Sequence, residues 1–532
     1  MKTRKPRVLV SDALSETAVQ IFRDKGIDVT FEPALGKDKD KLAQMIGDFD
    51  GLAVRSATKV TEKLIAQAEN LQVVGRAGIG VDNVDIKAAT ARGIVVMNTP
   101  FGNSVTTAEH AISLLLALTR DIPAADRSTQ AGKWEKSRFM GTEITGKTLG
   151  IIGCGNIGSI VADRAIGLRM RVVAFDPFLT PERALELGVE KLELDELLGR
   201  ADFISLHTPL TDQTRNILSA SAINKTKKGV RIINCARGGL VDENALAAAL
   251  EAGHVAGAAI DVFAEEPAKE NVLFGMKNVI CTPHLGAATS EAQENVALQV
   301  AEQMADYLLN GAITNAINFP NITAEEAPRL KPFIKLAENL GLFAGQLTAS
   351  KLQTLRLEYA GDVADMNTKA LTAAAISGVL RPVVSDAINM ISAPAFARER
   401  NLTVEEVTRG GQGAYQTYMR LTVVTDAMER SVAGTVFSDG KPRIIQVKGI
   451  NMEAEFAQHM LYVTNEDKPG FIGAFGSLMG ERQQNIARLN LGRDREGGDA
   501  ILLVTLDAAA NDDTLDAITK LTHAKTAHNL SF

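Results

Sequence analysis

The chain has 532 residues, 45% of them hydrophobic and 23% charged, with a formal net charge of −7. That length exceeds what one hydrophobic core supports and predicts roughly three or four domains, while an acidic balance without a basic stripe argues against nucleic acid as a partner. Three cysteines, Cys154, Cys235 and Cys281, form no CxxC pair and meet no histidine at zinc-ligand spacing; a disulfide framework and a metal site are therefore not expected, and a reducing cytoplasm is.

The first residues, "MKTRKPRVLVSDALSE", start basic, but the apolar run is only "VLV", too short for a signal peptide. The most lipid-like stretch, "AISLLLALT" at 111–119, is about half a membrane span, so no membrane partner is expected. Short apolar runs at 7–10, 51–56, 71–78 and 93–98 read as buried strands separated by segments of helix length. The same rhythm restarts with runs at 147–153, 170–176, 201–207, 230–236, 257–261 and 278–284. Strands alternating with helices indicate βαβ units, so an α/β protein with two doubly wound parallel sheets is expected. Between them, "SVTTAEHAISLLLALTR" carries a helical apolar face with Ser104 as its expected N-cap. A helix after residue 287 should end at Gly311, and the proline-rich stretch "AITNAINFPNITAEEAPRLKPF" reads as a linker.

The strongest local signal is "GIIGCGNIGSIVADRA": an apolar strand, then Gly153, Gly155 and Gly158 at GxGxxG spacing, then a helix. Such glycines allow a tight turn and the close approach of a pyrophosphate, whose charge meets the helix N-terminus. The next strand ends in Asp176, placed to accept from an adenosine ribose. "GRAGIGVDNVD" at 75–85 offers a second glycine turn, but Asp82 and Asp85 follow it and would repel a pyrophosphate. It reads as a substrate-facing turn with Arg76 aimed at an anion, although on spacing alone a solvated arginine fits equally well.

Three further strand ends carry chemistry: Arg237 follows the run 230–236, Glu266 lies in "AIDVFAEEP", and His284 lies in "TPHLGAAT". Successive parallel strands bring their carboxyl ends to one edge, where ligands bind in open α/β sheets. A histidine exchanges a proton near neutral pH, a carboxylate beside it favours the imidazolium, and an arginine holds a carboxylate. With a nicotinamide, that set suits oxidation of a 2-hydroxy acid. Taken singly, each residue has a bland reading, and His207 and His254 are rival histidines, whereas His110 falls within a helix and is expected to be packed.

"GIIGCGNIG", "HTPLT", "NCARGGLVDENAL", "AIDVFAEEP" and "TPHLGAAT", in this order, resemble the D-isomer-specific 2-hydroxy acid dehydrogenases over roughly residues 1–320. "VRSATKVT", "NTPFGNSVTTAEH" and "KWEKSRFMGTEITGKTLGIIG" are similar to the long members of that family, which oxidise 3-phosphoglycerate. The resemblance implies NAD as cofactor, with Asp176 on the ribose, Thr208 and Pro209 at the adenine and Asp261 facing the nicotinamide carboxamide. Contacts to the cofactor from Asn156, Ile157, Cys235, Ala236 and Gly286 are implied as well. His284 would be the acid/base, Glu266 its partner and Arg237 the carboxylate clamp, while Arg55, Ser56, Arg76, Gly78, Lys136 and Arg138 would line the substrate's phosphate.

The resemblance also implies a lid domain of residues 1–101 and 288–320 around a cofactor domain of 102–287, and closure that excludes water. An α+β intervening domain at 321–455 and a C-terminal ACT domain at 456–532 would follow, in a homodimer or homotetramer. ACT units bind small amino acids, so L-serine is the implied effector, and the reaction would be the first step of serine synthesis. Asn465 and Asp467 keep the polar loop of such a unit, but the glycine expected before "NIARLN" is replaced by Gln483 and Gln484, and glutamine takes a left-handed turn less cheaply than glycine. A dehydrogenase of another D-2-hydroxy acid, or an NAD(H)-sensing binding protein on the same scaffold, remain the alternatives.

Overall fold

The computed structural model describes residues 4–385, 387–410 and 415–532; Met1–Thr3 of the basic start lie outside the described residues. The chain divides into two compact units, one of Met1–Arg76, Gly80–Asn98 and Val300–Phe532, the other of Ala77–Ile79 and Thr99–Gln299. Among the described residues no helix is long and apolar enough to cross a membrane.

The first unit opens with a five-stranded parallel sheet in the order Asp28–Phe31, Arg7–Val10, Gly51–Val54, Val73–Arg76, Val95–Met97. Its inner strands are buried on both faces, with Val8, Leu9, Leu52, Val73 and Val74 at 0% exposure, which is why they read as unbroken apolar runs. The edge strand Asp28–Phe31 is half-exposed and polar, and no apolar run announced it. Helix Ser290–Asn310 ends where expected, with Gly311 at φ +76° and its N–H on the Tyr307 carbonyl at 2.9 Å. Gly75 is required by the same helix, because a Cβ there would run into Met304 and Val300.

The same unit holds a six-stranded mixed sheet in the order Thr403–Arg409, Leu352–Ala360, Tyr418–Thr425, Glu429–Val436, Pro442–Val447, Ile450–Glu455. Helices Glu326–Gln346 and Thr368–Leu380 cross at Gly341 and Gly378, where a Cβ on Gly341 would lie 2.8 Å from the Gly378 Cα. Residues 460–530 form a βαββαβ unit, with an antiparallel sheet in the order Ile486–Arg493, Asp499–Leu506, Met460–Glu466, Ala524–Leu530. This is a ferredoxin-like arrangement. Its last strand, "AKTAHNL", is too polar to stand out in the sequence.

The second unit is built on a seven-stranded parallel sheet. Strand Thr148–Ile152 lies inside it, with Arg171–Phe175 and Glu190–Lys191 added on one side. Phe203–Leu206, Val230–Asn234, Val255–Ile260 and Val279–Cys281 follow on the other. The change of direction beside Thr148–Ile152 opens a crevice at the carboxyl ends of the strands, the ligand position of doubly wound sheets. Ser104 is not the cap of helix Ser104–Thr119: Asn103 holds the N-cap position, and Ser104, already helical, donates through its hydroxyl to the Pro100 carbonyl at 2.8 Å.

Candidate active site

The three glycines of the first turn divide the work by geometry. Gly153 has φ +92°, and a Cβ on it would lie 2.7 Å from the His207 carbonyl. Gly158 lies so close to the Gly153 carbonyl that no Cβ fits between them, whereas a Cβ on Gly155 would meet nothing within 4 Å. Helix Asn156–Gly167 starts there with no side-chain cap, so its first amide groups, at exposed Gly155 and Asn156 and half-buried Ile157, are available to an anion. Asp176 ends the neighbouring strand and accepts from the Cys154 N–H and the Phe178 N–H, both at 2.8 Å. A carboxylate keeps lone pairs beyond two such bonds. A glycine cradle open at its middle position, an uncapped helix start and an aligned carboxylate fit a dinucleotide.

Thr208 and Pro209 follow strand Phe203–Leu206 on the same edge, and the Pro209 carbonyl accepts from the Thr214 hydroxyl at 2.6 Å. Cys235 and Ala236 are buried beneath it, and Ala236 donates its N–H to Asn234 Oδ1 at 3.1 Å. Asn234 Nδ2 in turn donates to the Arg237 carbonyl at 2.9 Å, so the arginine leaves the strand through a braced turn.

His284 and Glu266 meet as the sequence required: Nδ1 of the ring lies 2.7 Å from Glu266 Oε2. The Glu266 bond, ahead of burial and opposed also by Arg237, raises the His284 pKa above its ordinary value. Burial pushes the Glu266 carboxyl up, but the bonds from His284 and the Phe263 N–H outweigh it and hold it below the carboxylate range. With Nδ1 engaged, Nε2 is the ring atom left for a substrate proton.

His284 has φ +56°, a left-handed conformation that non-glycine residues adopt at a cost. Asp261 holds it there. The Asp261 carbonyl accepts from the His284 N–H at 2.8 Å, and its carboxylate accepts from Leu285 N–H at 2.8 Å, Gly286 N–H at 2.9 Å and the Thr282 hydroxyl at 2.6 Å. His110 Nε2 is 3.3 Å from the same carboxylate. Burial alone would raise this carboxyl, but the donors, His110 first, lower it. Asp261, expected to face a nicotinamide carboxamide, is 0% exposed, and its carboxylate also accepts from the loop that carries the histidine, with a single donor on Oδ2. His110 is not merely packed but part of that hub.

The same hub brings His110, Cys235 and Asp261 ligand atoms within 4.8 Å of one another, a cluster that sequence spacing did not reveal. Burial, then Asp261, raises the Cys235 thiol pKa and keeps it protonated, so the cluster is read as a hydrogen-bonding hub. Of the rival histidines, His207 bonds Ser205 at 2.8 Å and burial depresses its pKa to about 4, while His254 Nε2 lies 3.0 Å from both the Thr226 hydroxyl and the Ile223 carbonyl. Each thus has its Nε2 engaged within the chain. Asn103, unremarked in the sequence, buries its Oδ1 without a partner, one turn before Thr107, whose Cγ2 would lie 3.2 Å from a Cβ on Gly286.

The residues expected at the phosphate are distributed. Arg55 follows strand Gly51–Val54; its N–H donates to buried Asp12 at 2.6 Å and its guanidinium to the Ala13 carbonyl at 3.1 Å, with Ser56 exposed beside it. Arg76 ends the next strand, half-buried. In the second unit Gly78 has φ +141° and donates to the Thr99 hydroxyl at 2.7 Å. Lys136 and Arg138 lie on an exposed turn, where Arg138 pairs with Glu135 at 2.9 Å.

In the C-terminal sheet Asn465 is 3% exposed with Oδ1 unpartnered, and Asp467 accepts from Arg493 at 2.7 Å and the Gly497 N–H at 3.1 Å. Gln483 does take the left-handed turn, at φ +54°. It stands just past helix Phe471–Glu481, where Gln483 N–H bonds the Gly480 carbonyl at 3.0 Å and Gln484 N–H the Met479 carbonyl at 2.9 Å. These are the two bonds of a Schellman motif.

Residues 112–286 match the family described as D-isomer specific 2-hydroxyacid dehydrogenase, NAD binding domain, and residues 329–448 the D-3-phosphoglycerate dehydrogenase intervening domain. A D-3-phosphoglycerate dehydrogenase of Synechocystis is 41% identical over 98% of this chain and 94% of its own length, and that of Bacillus subtilis 40% identical over 97% of each. A solved Thermus thermophilus structure, 34% identical, covers 58% of this chain and 99% of its own with a TM-score of 0.54. The chain belongs to the D-3-phosphoglycerate dehydrogenases of the D-isomer specific 2-hydroxyacid dehydrogenase family.

Proposed function

We propose that this chain oxidises 3-phospho-D-glycerate to 3-phosphohydroxypyruvate with NAD, the entry to L-serine synthesis, and that His284 is the base. The observation that carries the reading is the His284–Glu266 pair, on the same sheet edge as the open glycine turn. NAD, when bound, supplies the hydride acceptor for C2. Gly153, Gly155, Asn156, Ile157 and Gly158 hold its pyrophosphate, Asp176 its ribose, and Thr208 and Pro209 its adenine; Cys235, Ala236 and Gly286 pack around it. His284 takes the C2 hydroxyl proton on Nε2, Glu266 stabilises the resulting imidazolium, and Arg237 binds the substrate carboxylate. Asp261 acts by fixing the histidine's loop. Arg55, Ser56, Arg76, Gly78, Lys136 and Arg138 are the residues proposed for the phosphate.

The domain reading is part of the same proposal: 1–101 with 288–320 as the substrate domain, 102–287 as the cofactor domain, 321–455 as the intervening domain and 456–532 as an ACT unit. Its βαββαβ order supports the last. The unpartnered Asn465 Oδ1 favours an L-serine site there, while Asp467 is already engaged by Arg493. Trp134 at 86% exposure and Met140 at 82% support self-association into a dimer or tetramer. Three unpaired cysteines suit the cytoplasm.

Following NADH formation with a panel of D-2-hydroxy acids tests the substrate. Higher activity on D-glycerate than on 3-phospho-D-glycerate overturns the assignment, and equal use of NADP removes Asp176 as the ribose ligand, because a carboxylate repels a 2′-phosphate. L-serine should inhibit this activity if the C-terminal unit is its site.

A further inference from the structure

A cavity of about 530 Å³ opens in the first unit, where helix Ile86–Ala91 and the chain at Asn318–Pro320 meet helices Thr368–Leu380 and Ala393–Glu399 and strand Thr403–Arg409. That is the size of a small-molecule site. Its floor is apolar and buried, with Phe319 at 8%, Ile376 at 3%, Ile391 at 4% and Leu402 at 8% exposure. Its rim carries charges of both signs, Lys369 and Arg398 against Glu406.

The Glu406 carboxylate is held in place rather than left to wander. The Thr372 hydroxyl donates to Oε1 at 2.6 Å and the Thr368 hydroxyl to Oε2 at 3.2 Å, and buried Thr372 is itself 2.7 Å from the Tyr359 hydroxyl. A carboxylate so fixed retains lone pairs for one more donor. Arg398 is steadied by its Nε on the Pro394 carbonyl at 3.3 Å. An oriented anion, two cations and an oily floor complement a zwitterion with an apolar tail.

We propose that this cavity binds a free α-amino acid with an apolar side chain. The ammonium group donates to Glu406, the carboxylate pairs with Lys369 and Arg398, and the side chain covers Phe319, Ile376, Ile391 and Leu402. An apolar acid without the amine leaves Glu406 unanswered, and a small polar amino acid leaves the floor wet; both are poorer ligands. Thr90 and Pro320 line the cavity from outside the segment 329–448, and Asn318 already ties that side together through Thr90 at 2.9 Å and the Ile94 carbonyl at 2.8 Å. A ligand there bridges the two sides, so binding raises the unfolding temperature as well.

The test is calorimetric titration and thermal unfolding of the full chain, without substrate or cofactor, using L-phenylalanine and L-leucine. Saturable binding is expected, weakened about tenfold or more when the probe is L-phenylalaninamide or 3-phenylpropanoate. Glu406→Gln weakens the amino acids by a similar factor and spares 3-phenylpropanoate. Ala373→Phe fills the cavity and abolishes binding; if that variant fails to fold, exposed Glu406→Gln decides alone. The absence of saturable binding by both amino acids overturns the proposal, and so does binding unchanged by Glu406→Gln. Since the readout is binding to the resting chain, neither result bears on the dehydrogenase reading.

Discussion

His284 and Gln483 share a backbone conformation and little else. Both are non-glycine residues in the left-handed region, at φ +56° and +54°, and each carries a torsional cost of about 1 kcal/mol. At His284 the strand-end loop is fastened by Asp261 from three backbone amides and a hydroxyl, and the side chain lands on Glu266 at 2.7 Å. At Gln483 two helix-terminal carbonyls are satisfied, as they would be around any residue in that position, and the side chain is exposed. Strain at the first place positions the histidine proposed as the base, whereas at the second it is only tolerated.

Removing the imidazole is the sharpest way to separate the two. His284→Ala should lower kcat by ~10²–10⁴ while leaving NADH binding, followed by fluorescence titration, nearly intact; near-normal turnover would end the assignment. Asp261→Asn comes next. It replaces one of the two acceptor oxygens, each facing a loop N–H, with a donor, and leaving a buried group unpaired should cost ~1–3 kcal/mol in urea unfolding, along with a loss of activity that Gln483 variants do not show. A fully stable, active Asp261→Asn protein would mean the loop is held by something else.

Glu266→Gln moves the pH profile. Glyceric oxidation needs the neutral ring, so activity falls as pH drops through the His284 pKa, which Glu266 raises. Removing that charge lowers the pKa and shifts the acid limb to lower pH. In the reverse reaction the imidazolium is the donor, so the rate falls as pH rises through the same pKa, and that limb also moves down. The stability linkage has two windows: the contribution from His284 is complete below its unfolded pKa and lost as pH rises through the raised folded one, while that of Glu266 is present above its unfolded pKa and lost as pH falls through the lowered folded one. An unmoved limb would show that another group sets the profile. The smallest effect is expected at Gln483→Gly, which should leave activity unchanged and raise stability by up to ~1 kcal/mol by relieving the torsion; a destabilised variant would show that the glutamine side chain is in use.

Much of this was legible in the sequence because parallel strands buried on both faces leave apolar runs, and because GxGxxG has its meaning only between a strand and a helix, both of which were visible. The Arg237, Glu266 and His284 positions followed from counting strand ends. What stayed hidden depends on backbone geometry. Asp261 reads as an acid at a strand end, and nothing in "AIDVF" tells that amides from 285 and 286 converge on it. The edge strands Asp28–Phe31 and Glu190–Lys191 and the last strand Ala524–Leu530 are too polar or too short to leave a pattern. Gln483 was read as a poor substitute for glycine in a left-handed turn, yet it occupies one, since local helix-end bonds outweigh a residue preference of that size.

The glycine at position 75, shaped to receive Met304 and Val300, has a consequence for the order of events on the ribosome. Strands made within the first hundred residues wait for a helix segment that emerges about two hundred residues later, and meanwhile the face they will turn to it is bare, while the opposite face is already covered by Leu42, Ile46, Leu64 and Ile65. The unit of Thr99–Gln299 is complete in translation before that helix segment arrives. Domains fold as units during synthesis, so the inserted sheet should be native first, and the nascent chain's exposed interval is the one in which the five strands around Gly75 need protection from self-pairing or from a chaperone's absence.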